Sequence, residues 1–185
     1  MPVKPKISFE NLEVAFASKS GAELRKMYLI FATLNNNLIS DLGIGLANLA
    51  FKLKLPVKGI MKKTMFGHFC GGETIQESQT IIDKLWQSRI GTILDFSSEG
   101  KENEEDFNRA MNETIDSIKK AKTENSIPFS VFKPTGLVRF ELLENISNNS
   151  ELSEDEKFEQ STFENRIENI CKTATKNKVP LFIDA

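Results

Sequence analysis

From residue 91 onward, short β-branched and aromatic runs alternate with long stretches whose apolar residues recur every three or four positions. The runs are Gly91-Thr-Ile-Leu-Asp-Phe96, Pro128-Phe-Ser-Val-Phe-Lys133 and Leu181-Phe-Ile-Asp184. Apolar runs of this length, bounded by turn residues, suit strands of a parallel sheet covered on both faces. Between the first two, Phe107, Met111, Ile115 and Ile118 mark one face of a charged helix over 102–123. Before the third, Ser153-Glu-Asp-Glu156 has capping-box spacing, and Phe163, Ile167, Ile170 and Ala174 carry a helix to about Asn177. Strands alternating with helices signal parallel crossovers. Three strands close no barrel, and a last strand at Leu181–Asp184 is a bare edge. The expected fold class is therefore α/β: an N-terminal helical region followed by the first three βα units of a truncated (β/α)8, TIM-like barrel. Such a barrel takes ~250 residues, against 185 here.

The region before residue 90 reads as helical. Ser20-Gly-Ala-Glu23 is a capping box, and Leu24, Met27, Tyr28, Phe31 and Leu34 follow at helical spacing, predicting a helix over 21–35. Leu38 to Leu53 predicts a second, mostly buried helix in which Gly43 and Gly45 allow close packing. The pair is no dinucleotide fingerprint, since no strand precedes it and Asn48 takes the third glycine position. Lys52, Lys54, Lys58, Lys62 and Lys63 surround Pro56; a solvated face and an anion- or membrane-binding patch both fit them. After Gly71-Gly72, Thr74-Ile-Gln-Glu77 caps a helix to about residue 88 bearing Ile75, Ile82, Leu85 and Trp86. The expected division is a helical arm, 1–89, and a partial barrel, 90–185.

Composition removes several function classes. Lys and Arg number 24 against 26 Asp and Glu, so no nucleic-acid partner is expected. Phenylalanine is abundant, 14 residues against one Trp and one Tyr; with no basic surface interleaved, core packing is the expected use rather than base stacking. No apolar run approaches the ~18 residues of a membrane span. Two cysteines make no disulfide framework, and the basic, proline-broken N-terminus lacks a signal-peptide core. The expectation is a cytoplasmic protein, peripheral at the inner face of the membrane at most. One histidine, His68, leaves little for metal or triad chemistry, and no metal site is expected. His68 and Cys70 read as packing around Gly71-Gly72.

Each expected strand places a polar residue at or near its C-terminal end: Asp95, Lys133 and Asp184. In a (β/α)8 barrel these ends share one mouth, where active sites are built. A charge closing an apolar strand is costly unless paired or used, and three in succession point to a site without naming its reaction.

Four segments, in order, resemble the proline dehydrogenases. Met61-Lys-Lys-Thr-Met-Phe-Gly-His-Phe-Cys-Gly-Gly-Glu-Thr74 is similar to the motif ahead of the family's first strand. Ile93-Leu-Asp-Phe-Ser-Ser-Glu99 resembles that strand, with a glutamate four residues after the aspartate. Phe129-Ser-Val-Phe-Lys-Pro-Thr-Gly136 resembles the second strand and Pro180-Leu-Phe-Ile-Asp-Ala185 the third. The helix between them, with Arg166 and Cys171-Lys172, fits the same pattern.

The resemblance implies a flavoprotein of proline catabolism: FAD-dependent oxidation of L-proline to 1-pyrroline-5-carboxylate, with electrons passed to quinone. It implies that Lys133 meets the proline carboxylate and that Asp184 lies beside it at the flavin edge. These two are the implied catalytic residues and, with Ala185, the cofactor-binding ones. Glu99 would form the gating ion pair over substrate, and Asp95 would organise the barrel mouth. Pro134 departs from the family's Leu or Val after the lysine; it removes an N–H and fixes φ, so the strand must end or bulge there and the lysine's aim is put in question. The family's later strands and its arginine pair would fall beyond Ala185. Two readings stay open: an incomplete, inactive portion of a proline dehydrogenase, or a non-catalytic half-barrel kept as an interaction module or degraded gene product, self-associating through open strand edges.

Overall fold

A computed structural model describes residues 9–96, 100 and 102–184. The chain divides into two compact units, Met1–Cys70 and Gly71–Ala185.

The first unit is helical: α1 (Leu12–Ala15), α2 (Gly21–Leu34), α3 (Asn37–Lys52), α4 (Lys58–Met61), a π-helical turn (Lys62–Phe66) and α5 (Gly67–Phe69). The Ser20 hydroxyl accepts from the Glu23 N–H at 3.2 Å while the Glu23 carboxylate accepts from the Ser20 N–H at 2.7 Å, closing the expected capping box. α3 forms where the sequence places it, but the expected burial is overturned. Leu38, Leu42, Ile44 and Leu49 are all exposed, and a methyl on Gly43 or Gly45 would meet nothing. The apolar residues run around most of α3's circumference, and a unit of so few elements cannot cover them all. Among the described residues no helix is long and apolar enough to cross a membrane.

The second unit contains α6 (Ile75–Gln87), α7 (Glu104–Thr123), β1 (Ser130–Phe132), a 3₁₀ turn (Pro134–Gly136), α8 (Phe140–Ser147), α9 (Glu154–Asn177) and β2 (Leu181–Ile183). β1 and β2 pair in parallel with Ser130 opposite Leu181, Val131 opposite Phe182 and Phe132 opposite Ile183. The run expected as the first strand is reduced to one parallel bridge, Leu94 to Ser130. Only β1 flanks it among the described residues, and Ile93 and Phe96 are exposed, so little holds a longer ladder there. The spatial order Leu94, β1, β2 is the parallel order expected of successive α/β units, with α7 and α9 as the crossovers.

Helix α6, assigned by the sequence to the arm, belongs to this second unit, where its Ile82 is fully buried in the core. On α7 the buried line is Phe107, Ala110, Thr114, Ser117 and Ile118, while the expected Met111 and Ile115 pack along its margin. The helix approaches the sheet closely, and small side chains fit that approach better than large ones. The expectation that phenylalanine serves the core holds for Phe107, Phe132 and Phe163, whereas Phe9, Phe140 and Phe158 are each more than 60% exposed. Apolar residues are common on protein surfaces, so composition alone does not bury them.

Candidate functional site

Alternation along the strands gives the sheet two chemically different faces. Leu94, Ser130, Phe132 and Leu181 turn toward the helices and join or border the core. Ile93, Asp95, Val131, Phe182 and Asp184 line an open cavity of about 420 Å³ on the other side, with Ile183 at its edge. Phe129 stacks on Phe182 across the pair, ring centroids 4.7 Å apart. The face therefore offers an aromatic and aliphatic floor with charges along one end.

Lys133 and Asp184 are those charges. The ladder runs one step past β2, where the Asp184 N–H donates to the Phe132 carbonyl at 3.0 Å. Lys133 keeps an extended backbone (φ −109°, ψ 128°) before the chain turns at Pro134. Its ammonium lies 3.5 Å from the Asp184 carboxylate. The strand thus ends where Pro134 requires, and the turn leaves the lysine aimed at the aspartate. The two side chains are 30% and 56% exposed, so the pair is open to a ligand rather than sealed.

Asp95 sits on the same face one layer below, lining both the open cavity and a smaller one with Thr74, Glu113 and Thr114. Glu99 and Ala185, the expected gate and flavin neighbour, lie outside the described residues. His68 stands edge-on to Phe31 and Phe69, at centroid distances of 5.4 and 4.8 Å, and Cys70 is exposed; both belong to the first unit. Among the described residues no cluster of histidine, cysteine and carboxylates is arranged to hold a metal ion.

Arg166 is a candidate that the apolar stripe Phe163, Ile167, Ile170 and Ala174 does not single out. It is 3% exposed on the apolar face of α9 and donates to the Asn108 side chain at 3.0 Å and the Leu137 carbonyl at 2.9 Å. It also pairs with Glu104 and lies over the Phe107 ring. The signal was present: Phe163, Arg166, Ile170 and Ala174 make as good a helical stripe as the one drawn through Ile167.

Comparison with known proteins gives a consistent result. The proline dehydrogenase family model matches residues 78–185. The chain is 35% identical over 135 residues to a protein of Dictyostelium discoideum named proline dehydrogenase 1, mitochondrial, covering 71% of this chain and 24% of that one. It is 36% identical over 95 residues to the protein of the same name from Caenorhabditis elegans, covering 50% and 15% of the respective chains. A carbapenem antibiotics biosynthesis protein, CarD, of Pectobacterium carotovorum is 30% identical over 117 residues, covering 63% and 31%. The chain spans a third or less of the length of these relatives. Lys133 and Asp184 both fall inside the matched region, and the chain belongs to the proline dehydrogenase family.

Proposed function

We propose that the protein carrying these residues oxidises L-proline to 1-pyrroline-5-carboxylate, with FAD as resident cofactor and quinone as electron acceptor, a step of proline catabolism. The observation that carries the reading is the Lys133–Asp184 pair at the ends of adjacent parallel strands. An ammonium is a compact point charge suited to a substrate carboxylate. Asp184 balances that ammonium when no substrate is present and holds its direction when one arrives. The face suits a flavin: Ile93, Val131 and Phe182, the last backed by the stacked Phe129 ring, give it an apolar lining, with carboxylates beside it. Lys133, Asp184 and Ala185 are the residues proposed to lie against it. Bound FAD would accept the two electrons released as a C–H bond breaks and the product C=N bond forms.

The test reads the Lys133 ammonium in protein labelled with ¹⁵N-lysine. L-Proline should perturb it saturably, and pyrrolidine, which has the same ring without the carboxylate, should not. An identical response to both would sink the reading. For the 185 residues assayed alone, we propose neither tight flavin binding nor turnover, because the chain spans only 24% of the Dictyostelium relative. A flavin spectrum at near-unit stoichiometry would overturn that.

A peripheral membrane contact, suited to a quinone acceptor, is proposed for the first unit. Exposed Leu38, Leu42 and Ile44 on α3 are followed in the chain by exposed Lys52, Lys54 and Lys58. Apolar side chains with lysines suit an anionic lipid surface. Binding to anionic but not neutral vesicles, weakened by salt, is the expected outcome. Cytoplasmic location remains part of this proposal; the two proline dehydrogenase relatives are named as mitochondrial, and fractionation of cells expressing the chain decides between them.

A second reading, the non-catalytic half-barrel, draws on one observation: Phe182 and Ile183 on β2 are 48% and 64% exposed. An open, apolar strand edge favours association. Sedimentation showing a stable monomer at high concentration would count against it.

A further inference from the structure

We propose that Arg166 is the positioning residue for Lys133: from α9 it fixes the turn that aims the lysine at Asp184. The inference rests on the reading of Lys133 as the carboxylate-binding residue.

Pro134 removes the N–H that would have carried the ladder past Lys133, so the strand stops and the chain must be held by something else. What holds it is a relay of hydrogen bonds. The Gly136 N–H donates to the Lys133 carbonyl at 3.0 Å, and the Leu137 N–H to the Pro134 carbonyl at 2.9 Å. The Leu137 carbonyl is then left facing the core, since Leu137 is 1% and Val138 0% exposed. Arg166 supplies its donor, Nη1 at 2.9 Å. A buried carbonyl without a partner is unfavourable, and a charged donor makes the stronger bond.

The guanidinium is itself held from three further directions. Its Nε donates to Asn108 Oδ1 at 3.0 Å, its Nη2 pairs with Glu104, and its carbon lies 5.5 Å from the centre of the Phe107 ring. All three partners stand on the first turns of α7, the helix that follows the Leu94 bridge. One side chain thus ties the end of β1 to the start of the preceding crossover helix. Any strong, fully satisfied donor could stabilise the core. A planar donor with three directed nitrogens also fixes the turn's orientation, which a point charge cannot do.

The experiment measures hydrogen exchange at the Gly136 and Leu137 amides and the Lys133 ammonium signal, with and without Asp184→Asn, in the intact chain. Three backgrounds are compared: wild type, Arg166→Gln and Ile170→Val. Ile170 is fully buried one turn along α9 and touches the same core, so its shortening lowers stability without removing the donor to Leu137. In Arg166→Gln the two amides should exchange roughly tenfold faster than in Ile170→Val. The Lys133 signal should also lose its response to Asp184→Asn. Should Arg166→Gln fail to fold, Arg166→Lys is read against the same control, because lysine keeps the charge and loses the directed donors. Equal effects of the arginine and isoleucine variants, or a Lys133 response to Asp184→Asn that survives both, would overturn the proposal. Neither outcome depends on proline binding, so failure here and failure of the substrate reading are separable.

Discussion

Ser117 on α7 and Ser130 on β1 share a hydrogen bond of 2.6 Å, with both residues almost fully buried. The Ser117 hydroxyl gives its one proton to the Thr114 carbonyl at 2.8 Å, so Ser130 must be the donor between them. That order makes the two positions unequal. Ser130→Ala leaves Ser117 with Thr114, and the expected loss is about 0.5–1.5 kcal/mol. Ser117→Ala strands the Ser130 proton in the core and should cost about 1–3 kcal/mol. Urea unfolding of both variants checks the order; a larger loss for Ser130→Ala would contradict it.

The Lys133–Asp184 pair should contribute little to stability. Partly exposed ion pairs give about 0–1 kcal/mol, and this one spans 3.5 Å with both partners open to solvent. Lys133→Met and Asp184→Asn are therefore expected to unfold close to the wild-type temperature. A loss of several degrees in either would assign the pair to the fold rather than to a ligand.

Gly72 and its neighbour Gly71 separate a required glycine from an incidental one. A methyl on Gly72 would stand 2.8 Å from both the Glu77 Cβ and the Ser78 nitrogen at the start of α6. Gly72→Ala is expected to destabilise by about 1–3 kcal/mol. Gly71 meets only the Ser78 side chain, at 3.6 Å, and Gly71→Ala should stay within about 0.5 kcal/mol. Thermal unfolding of the pair, side by side, decides this.

Acid should weaken the second unit through Glu124. The Lys120 ammonium beside it, helped by hydrogen bonds from Gln79 and Ser126, holds its carboxyl below the usual range against an opposing push from burial. Glu156 is lowered as well, chiefly by the Ser153 N–H it accepts in the α9 capping box. A carboxyl with a lowered folded value contributes stability that is complete above its unfolded value, about 4.3 for glutamate. That contribution disappears as pH falls through the folded value. Urea midpoints should therefore drop below about pH 4.3 and stay flat above it. Glu124→Gln should reduce the slope in that window.

Lys178 closes α9 with a left-handed backbone, φ 58°, the place where helices most often put glycine. A side chain in that region costs about 1–2 kcal/mol, whereas glycine loosens the unfolded chain by about 0.4–1 kcal/mol. Lys178→Gly is expected to gain about 0.5 kcal/mol on balance. A fall in melting temperature would show that the lysine side chain supports the Pro180 approach to β2.

The local elements were written plainly in the chain. Ser20 with Glu23, Thr74 with Glu77 and Ser153 with Glu156 each marked a helix start that forms. Caps and stripes are legible because their partners lie three or four residues away. The positions of Asp95, Lys133 and Asp184 at or near the ends of apolar runs are local too, but the face they share follows from the register of the pairing, Leu94 with Ser130 and Ser130 with Leu181. Sequence pattern and structure part company over packing. The apolar run of α3 predicts burial, yet its side chains surround the helix and stand exposed, and Gly43 and Gly45 face open space rather than a close neighbour. An apolar run says that a segment seeks cover and nothing about what lies against it.

What the sequence determined by itself was the capped starts of α2, α6 and α9, the course of the long helices and the alternation of α7 and α9 with β1 and β2, all properties of residues near in the chain. Only the tertiary structure decided that the first strand amounts to a single bridge at Leu94, that Lys133 lies 3.5 Å from a residue 51 positions later, and that Arg166 is buried against the Leu137 carbonyl. Those outcomes depend on which surfaces meet once the helices have packed on the sheet. A buried charge or a short strand is stable only where distant partners satisfy it, and the identity of those partners is fixed by the fold as a whole.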